Sequence, residues 1–170
     1  MKILTRLIII SLVLGLASWV LIQVPSVQDR ILVAAFSAIG SASNNLPKED
    51  ALSVAVCGSR SPLPSPGRAE TCLLIAAGDD LFVVDIGDGS NDNLRSWNIN
   101  FRNIKAVLIT HLHSDHIADL PGLHQNAWVV GQRSSKLKVF GPEGIEQLTQ
   151  GVEMAYAHDY VFRNEHHGDE

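Results

Sequence analysis

Four side chains that bind divalent metals lie within six residues, in the segment HLHSDH at 111–116. His111 and His113 are two residues apart, so in an extended chain both imidazoles point to the same side and can bind one ion. Asp115 and His116 are adjacent, which suits a turn into a helix and a second ion close to the first. Imidazole and carboxylate ligands favour zinc or another borderline divalent ion. The spacing therefore predicts a metal site on this loop.

The remaining histidines are more ordinary. A single histidine is more often a solvated or internally hydrogen-bonded residue than a ligand, so we expect His124 and His158 to be solvated. His166 and His167 are adjacent in the sequence, and adjacent histidines rarely chelate one ion. We expect this pair to have a structural or supporting role.

The metal-binding segment must be positioned by the strand before it, KAVLIT at 105–110. Apolar runs bounded by turn residues predict five strands in all, at 51–57, 71–77, 81–86, 105–110 and 136–142. Helices are predicted at 90–97, with Ser90 as N-cap, after Asp115 with an interruption at Pro121–Gly122, and at 142–162. This order predicts a layered α/β (α+β) domain over residues 51–170.

The N-terminus differs from the rest of the chain. Lys2 and Arg6 precede residues 7–28, which contain no charged side chain. A helix of that length can cross a bilayer, and the positive charges favour a cytoplasmic N-terminus with the domain outside. We expect residues 1–28 to be a membrane anchor facing the periplasm or a cleaved signal segment, with a buried core helix as a third alternative. Residues 29–50 are expected to be an amphipathic spacer and linker.

The composition limits the classes of partner that this chain is expected to bind. The formal net charge is −5 and no basic stripe is present, which argues against nucleic acid as a partner. A small ester substrate, the membrane through residues 7–28, and a homodimer are compatible with the sequence. Cys57 and Cys72 are the two cysteines; in an exported protein they can form a disulfide, and two small buried thiols are the alternative.

The segment THLHSDH resembles the signature of the metallo-β-lactamase-fold hydrolases. CGSRSPLPSPGRAETCLLIAAGDDLFVVDIGDGS at 57–90 is similar to the opening hairpins of the ribonuclease Z and arylsulfatase-like branch of that family. DHIADLPGL at 115–123 matches a further run of the same branch, with Asp119 where glycine is common. The similarity covers roughly residues 51–170.

The resemblance implies the N-terminal half of an αββα sandwich and a role for each site residue. His111 and His113 would bind the first of two zinc ions, and Asp115 and His116 the second, with manganese or iron as alternative metals. Asp115 would also orient the attacking water or relay its proton. Asp85 would brace the metal loop by hydrogen bonds, and Asp88 would shape the turn beside it. The implied activity is hydrolysis of phosphodiesters, sulfates or related esters.

The chain also departs from the family. Further ligands, including a third histidine for the first metal, normally come from the C-terminal half of the fold, past the equivalent of residue 170. We therefore expect a truncated ligand set and an exposed apolar sheet face. The alternative function is a non-catalytic fragment, or a weak metal-binding or interaction module.

Overall fold

The structure is a computed structural model that describes residues 2–40 and 51–168. The chain divides into two compact units, Met1–Ala38 and Ile39–Glu170. Residues 41–50 of the predicted spacer and linker at 29–50 lie outside the described residues.

The first unit is helical. It contains α1 (Lys2–Ile22) and most of α2 (Pro25–Gly40). Among the described residues, no single helix meets the length and hydropathy needed to cross a membrane. Ile10–Ile22 and Pro25–Ile31 meet that test only when they are taken together, across a bend of 88°. A membrane anchor or signal segment within residues 1–28 stays a prediction.

The second unit is built on one five-stranded sheet in the order β1-β2-β3-β4-β5. β1 pairs with β2 and β2 with β3 in antiparallel fashion, whereas β3–β4 and β4–β5 are parallel. A two-residue turn, Gly78–Asp79, joins β2 to β3, and Gly78 has the positive φ (60°) that such tight turns require. The strands are β1 (Leu52–Gly58), β2 (Cys72–Ala77), β3 (Asp80–Val84), β4 (Ile104–Leu108) and β5 (Val139–Phe140). The five predicted strands are thus present, although β5 is only two residues long.

Helices cover one face of this sheet. Leu94, Leu120 and Leu123 lie against the alternate strand residues that point the same way, such as Leu74 and Leu81, and all five are at most 3% exposed. The helical elements are α3 (Ser90–Ser96), a 3-10 turn (Phe101–Asn103), α4 (Ser114–Ile117), α5 (Leu120–Gln125), a π-helical turn (Asn126–Val130), α6 (Ile145–Ala155) and α7 (Ala157–His167).

The opposite face of the sheet is apolar and open. Val56, Leu73, Val84, Leu108 and Phe140 form one continuous row across the five strands, because they are partners in the strand register. Val56 is 59% exposed and Phe140 55%. An exposed apolar face is what the resemblance to half of a sandwich predicted.

A disulfide joins Cys57 on β1 to Cys72 on β2. Both side chains are buried in the core. The sequence left a disulfide and two thiols open, and the structure has the disulfide.

Three details of the helices differ from the predictions. Gly89, with φ 79°, precedes α3, and Ser90 is its first residue; the Ser90 hydroxyl does not cap the helix because it donates to the Glu70 carbonyl. Pro121 lies in the first turn of α5, where proline is tolerated, and the interruption comes earlier, at Ala118–Asp119. The predicted helix 142–162 is two helices separated at Tyr156.

Tertiary contacts explain that last break, since no proline or glycine marks it. α6 buries Ile145 in the core, whereas α7 has no buried residue and is held by side-chain hydrogen bonds to α5 and the π-helical turn. A sequence pattern does not show which helix will pack on which partner.

Candidate metal centre

The metal loop begins where two parallel strands end at the same edge of the sheet. β3 ends at Val84 and β4 at Leu108, and these two residues are partners in the register. Asp85 therefore lies next to Thr110, and the Asp85 amide donates to the Leu108 carbonyl (3.0 Å). Such strand ends are where α/β proteins place their sites, because a rigid scaffold aims the loop side chains.

Asp85 holds the loop through three hydrogen bonds. Its carboxylate accepts from the Thr110 amide (2.8 Å) and the Thr110 hydroxyl (2.8 Å), and it contacts His116 Nδ1 at 2.8 Å. The residue is 3% exposed, and its backbone has φ 57°, a conformation that aspartate tolerates better than most residues. Asp85 therefore contacts the metal loop at both Thr110 and His116.

These bonds also assign the protons of two histidines. His116 Nδ1 lies 2.8 Å from an Asp85 carboxylate oxygen, which is an acceptor, so we assign the hydrogen to Nδ1. The Thr110 hydroxyl donates its single hydrogen to Asp85. It can therefore only accept a hydrogen bond from His111 Nδ1, which lies 3.1 Å away. In both rings the lone pair is left on Nε2, which is the form a metal ligand needs.

The three histidines of the loop lie together. The ring centres of His111 and His116 are 3.9 Å apart, and those of His111 and His113 are 4.6 Å apart. His113 precedes α4 in an extended conformation (φ −71°, ψ 150°). The loop therefore brings its imidazoles to one place and does not splay them.

Asp115 and His116 form a second close pair. His116 Nε2 is 3.5 Å from Asp115 Oδ2, and Asp115 is buried at 7% exposure. Two ligands at about 2.1 Å from one tetrahedral zinc ion lie about 3.4 Å from each other. The separation of these two atoms is thus that of two ligands sharing one ion.

The donor types and the paired spacings fit divalent ions. Within residues 2–40 and 51–168, no group of three or more His, Cys, Asp or Glu side chains is arranged to hold an ion. The loop thus offers donors in pairs, which is compatible with two ligands for each of two ions. It does not offer the three protein ligands of a self-sufficient catalytic zinc site.

Gly87 allows the loop after β3 to lie close to the metal loop. A Cβ at this position would overlap the Asp115 carbonyl and the Glu70 side chain. The Ile86 amide also donates to the His116 carbonyl (2.8 Å). The backbone of the metal loop is therefore held from this side as well.

Asp88 belongs to a charged cluster beside Gly87. Its carboxylate accepts from Arg60 (3.0 Å), its amide donates to Glu70 Oε2 (3.1 Å), and Arg60 also pairs with Glu70 at 3.3 Å. Asp88 thus ties its turn to Arg60 and Glu70. Sequence reasoning missed Glu70, which is buried at 9% exposure; the Arg-Ala-Glu run gives no hint that its last residue faces inward.

Asp119, where the family commonly has glycine, caps α3. Its carboxylate accepts from the Asn91 amide at 3.0 Å. Burial raises the pKa of this carboxyl above 3.8, against the opposing effect of the Asn91 hydrogen bond, and the nearby Asp88 and Asp92 raise it further. Asp119 therefore ties the segment after the metal loop to α3 and has no contact that marks it as a ligand.

The expectation that His124 is solvated is wrong. It is partly buried, its Nδ1 lies 3.1 Å from the Tyr160 hydroxyl, and its ring stacks near Trp128. The sequence does not reveal the contact between His124 and Tyr160, because Tyr160 is 36 residues away on another helix. His158, His166 and His167 are exposed, and His166 Nδ1 lies 2.9 Å from the Phe162 carbonyl.

Comparison with known proteins agrees with this geometry. The sequence profile described as the metallo-beta-lactamase superfamily matches residues 65–169. The chain belongs to the metallo-beta-lactamase superfamily. The matched region runs from the loop before β2 to the end of the described α7, so it includes every element of the metal centre.

Among proteins of the superfamily, this chain is similar to "Ribonuclease Z" of Mycobacterium bovis, with 35% identity over 120 residues. It is 34% identical over 120 residues to "Ribonuclease Z" of Mycobacterium marinum. Each match covers 69% of this chain and 43% of the relative. The chain thus spans less than half the length of these relatives.

Two solved structures share the fold. Human tRNase Z, short form, is 24% identical with a TM-score of 0.56, over 61% of this chain and 40% of that one. A long form RNase Z from yeast is 17% identical with a TM-score of 0.58, over 72% of this chain and 19% of that one. At these identities the structures support the superfamily fold alone.

Proposed function

We propose that this chain carries part of a metal-dependent hydrolase that cleaves phosphodiester bonds. The observation that carries the proposal is the cluster of three imidazoles and one buried carboxylate at the carboxyl end of β4, braced by Asp85. Similarity to proteins named Ribonuclease Z supports a phosphodiester as the bond. Sulfate esters, which the sequence resemblance also implied, have only that resemblance behind them.

The residues would divide the work as the pairs suggest. His111 and His113 would hold one zinc ion, and Asp115 with His116 a second, with manganese or iron as alternatives. Divalent ions at such sites acidify a bound water and stabilise charge on the substrate oxygens. Asp85 keeps the Nε2 lone pair of His116 directed at the ligand position, and through Thr110 it does the same for His111.

Asp115 is the candidate for proton handling. Its Oδ2 lies beside His116 Nε2 (3.5 Å) within a nearly closed environment. A carboxylate oxygen there can accept a hydrogen bond from water and so orient it or take its proton. The loop supplies donors in pairs only, so each ion would need at least one further protein ligand to complete a catalytic site.

The proposed activity is tested on the full product of the gene, whatever its length. Metal-replete protein should hydrolyse bis(4-nitrophenyl) phosphate faster than 4-nitrophenyl sulfate. His113→Ala and Asp115→Asn should abolish turnover, while His158→Ala, a change at an exposed histidine, should leave it unchanged. Preference for the sulfate would redirect the proposal to sulfatases, and no turnover of either ester would overturn it.

A second candidate is a non-catalytic metal-binding or interaction module. The absence of a group of three placed ligands among the described residues favours it. It predicts stoichiometric zinc in the purified protein, lost in His113→Ala, together with no turnover of any ester by the full gene product.

We also propose that the domain is exported. The Cys57–Cys72 disulfide supports this, because disulfides persist in oxidising compartments, and so do Lys2 and Arg6 ahead of the uncharged residues 7–28. An alkaline phosphatase fusion after residue 50 should be active in a bacterial host. N-terminal sequencing of the mature protein then separates a retained anchor from a cleaved signal.

Location and substrate bear on each other. The sequence argued against nucleic acid, yet relatives carry the name Ribonuclease Z, so that exclusion no longer stands on composition. An exported domain would not meet transfer-RNA precursors, and a small phosphodiester is the substrate that fits both proposals. Cleavage of a 3′-extended transfer RNA in preference to bis(4-nitrophenyl) phosphate would point instead to a nuclease.

A further inference from the structure

Glu70 is a largely buried carboxylate near the metal loop, and the proposed division of work gives it no role. Its side chain is 12% exposed. It lies near the end of the segment 59–71 between β1 and β2, which we name the β1–β2 loop. A glutamate is almost never buried unless it is paired. The partners of Glu70 therefore indicate what its charge is for.

Glu70 is bonded to the turn after β3 through both its backbone and its side chain. The Glu70 amide donates to the Asp88 carbonyl (2.8 Å), and the Asp88 amide donates in return to Glu70 Oε2 (3.1 Å). The Glu70 carbonyl accepts from the Ser90 hydroxyl (2.7 Å). Beside these bonds, the Gly87 amide donates to the Thr71 carbonyl (3.0 Å). The turn after β3 is therefore fixed to the end of the β1–β2 loop.

The same turn contacts the backbone of the second pair of metal-binding residues. Gly87 has room for no side chain, because a Cβ there would overlap both the Glu70 side chain and the Asp115 carbonyl. The Ile86 amide donates to the His116 carbonyl (2.8 Å). Close-packed groups of this kind transmit a displacement because they compress little. A shift of Glu70 should therefore reach the backbone of Asp115 and His116.

Arg60 holds the Glu70 carboxylate from the other arm of the β1–β2 loop. Its guanidinium lies 3.3 Å from Glu70 Oε1 and 3.0 Å from Asp88 Oδ2. Its Nε donates to the Arg68 carbonyl (3.1 Å). The Arg60 side chain is 16% exposed, whereas that of Asp88 is 69% exposed. Solvent and salt therefore screen the contact with Glu70 less than the contact with Asp88.

The base of the β1–β2 loop is closed, so Glu70 projects from a fixed position. The Cys57–Cys72 disulfide joins the two strands that flank the loop. The Ser59 and Arg60 amides both donate to the Ala69 carbonyl, at 3.0 and 2.8 Å. Both arms of the loop are thus tied together next to Glu70.

Packing alone does not explain a carboxylate at this position. An apolar side chain of similar volume would fill the space without the cost of removing two charges from water. It could not accept the hydrogen bond of the Asp88 amide, however, and the turn after β3 would lose that link to the β1–β2 loop. The charge of Glu70 is thus explained by the turn that it holds.

We propose that Glu70 is a positioning residue of the metal centre. Through Asp88 and Gly87 it sets where the backbone of Asp115 and His116 lies, and so it sets the spacing of these two ligands. Asp85 fixes the ring of His116, whereas Glu70 fixes the backbone that carries the ring. The inference rests on the proposed function, because it concerns the same metal loop.

The first measurement is zinc affinity of the full product of the gene. Glu70→Ala removes the acceptor for the Asp88 amide and the ion pair with Arg60, whereas Glu70→Gln keeps an acceptor and removes only the charge. We expect Glu70→Ala to weaken zinc binding about tenfold, the low end of the range for a group that supports a metal ligand, and Glu70→Gln to weaken it less. Glu165→Ala, at an exposed glutamate on α7, is the matched control and should leave the affinity unchanged.

The second measurement is amide hydrogen exchange in EDTA, which reports the position of the backbone without metal. The Ile86 amide, which donates to His116, should exchange about tenfold faster in Glu70→Ala, because local opening costs less free energy than global unfolding. The Leu74 amide, in the central part of the sheet, should change less. If Glu70→Ala does not fold, Glu70→Gln gives the same comparison with a smaller expected difference.

The two measurements separate the outcomes. Equal acceleration at Ile86 and Leu74 would mean a general loss of stability and would overturn the proposal, as would unchanged Ile86 exchange in both Glu70 variants. Wild-type zinc affinity in Glu70→Ala would overturn it too. A wild-type protein that binds no zinc would defeat the proposed function, whereas the exchange at Ile86 would still support or overturn the positioning of this backbone by Glu70.

Discussion

Asp85→Asn is the substitution that tests most sharply how the metal loop is held. The side chain keeps its shape, but one acceptor oxygen becomes an NH₂ donor. Three donors converge on the native carboxylate, from Thr110 N, Thr110 Oγ and His116 Nδ1. An amide cannot satisfy all three.

Either orientation of the new amide has a cost. If its NH₂ faces the Thr110 amide, two donors meet in a buried place, at about 1–3 kcal/mol of folding free energy. If its NH₂ faces His116, the ring must present its Nδ1 lone pair and protonate Nε2, which removes the ligand atom. Loss of such a supporting contact typically weakens metal binding about 10–100-fold, or about 1.4–2.7 kcal/mol.

The assay pairs zinc affinity, by competition with a fluorescent chelator at neutral pH, with urea unfolding in EDTA. Asp80→Asn is the matched control, because Asp80 makes an exposed ion pair with Lys105 (3.1 Å) that should contribute at most about 1 kcal/mol. Thr110→Val, which removes only the hydroxyl, should fall between the two. If Asp85→Asn matches Asp80→Asn in both measurements, the bracing argument is refuted.

Three further changes test other contacts. Gly87→Ala should destabilise the domain and weaken zinc binding, because the new Cβ overlaps the backbone of the metal loop. As a control, Gly151→Ala adds a Cβ that meets nothing within 4 Å, and it should stabilise α6 by about 0.5–1 kcal/mol in urea unfolding. Equal effects of the two substitutions would contradict the packing around Gly87. Replacing Cys57 and Cys72 by alanine should cost about 3 kcal/mol for a loop of 15 residues, and wild-type stability unaffected by reductant would count against the disulfide. The pKa of Asp119 is raised in the folded state, so the free energy of unfolding of the wild type should fall as pH rises above 3.8 towards that folded-state pKa. Asp119→Asn has no such group, so its stability relative to wild type should rise over the same pH range. A pH-independent difference between the two proteins would contradict this.

The sequence predicted most of what local patterns encode. The five strands, the α3 region and the metal loop follow from apolar runs and from three histidines in six residues. Long-range contacts were out of reach. The inward turn of Glu70 and the contact between His124 and Tyr160 depend on partners many residues away.

The role of Asp85 in the site was predicted only from the resemblance to the family. Nothing in the composition around Asp85 distinguishes it from Asp88, three residues later. The register of β3 with β4 puts Asp85 against Thr110 and leaves Asp88 facing Arg60. The resemblance to a known family distinguished Asp85 from Asp88 in the sequence, whereas the physical reason is visible only in the strand pairing.

The central claim is that residues 111–116 bind a divalent metal through the imidazoles of His111, His113 and His116 and the Asp115 carboxylate, with Nε2 as the ligand atom of His111 and His116. Long-range ¹H–¹⁵N spectra of the histidine side chains, recorded while zinc is added to the 170-residue chain, test it directly. We predict that Nε2 of His111 and His116 and one ring nitrogen of His113 shift, while Nδ1 stays protonated in His111 and His116. Zinc-dependent shifts confined to His158, His166 and His167 would contradict the account.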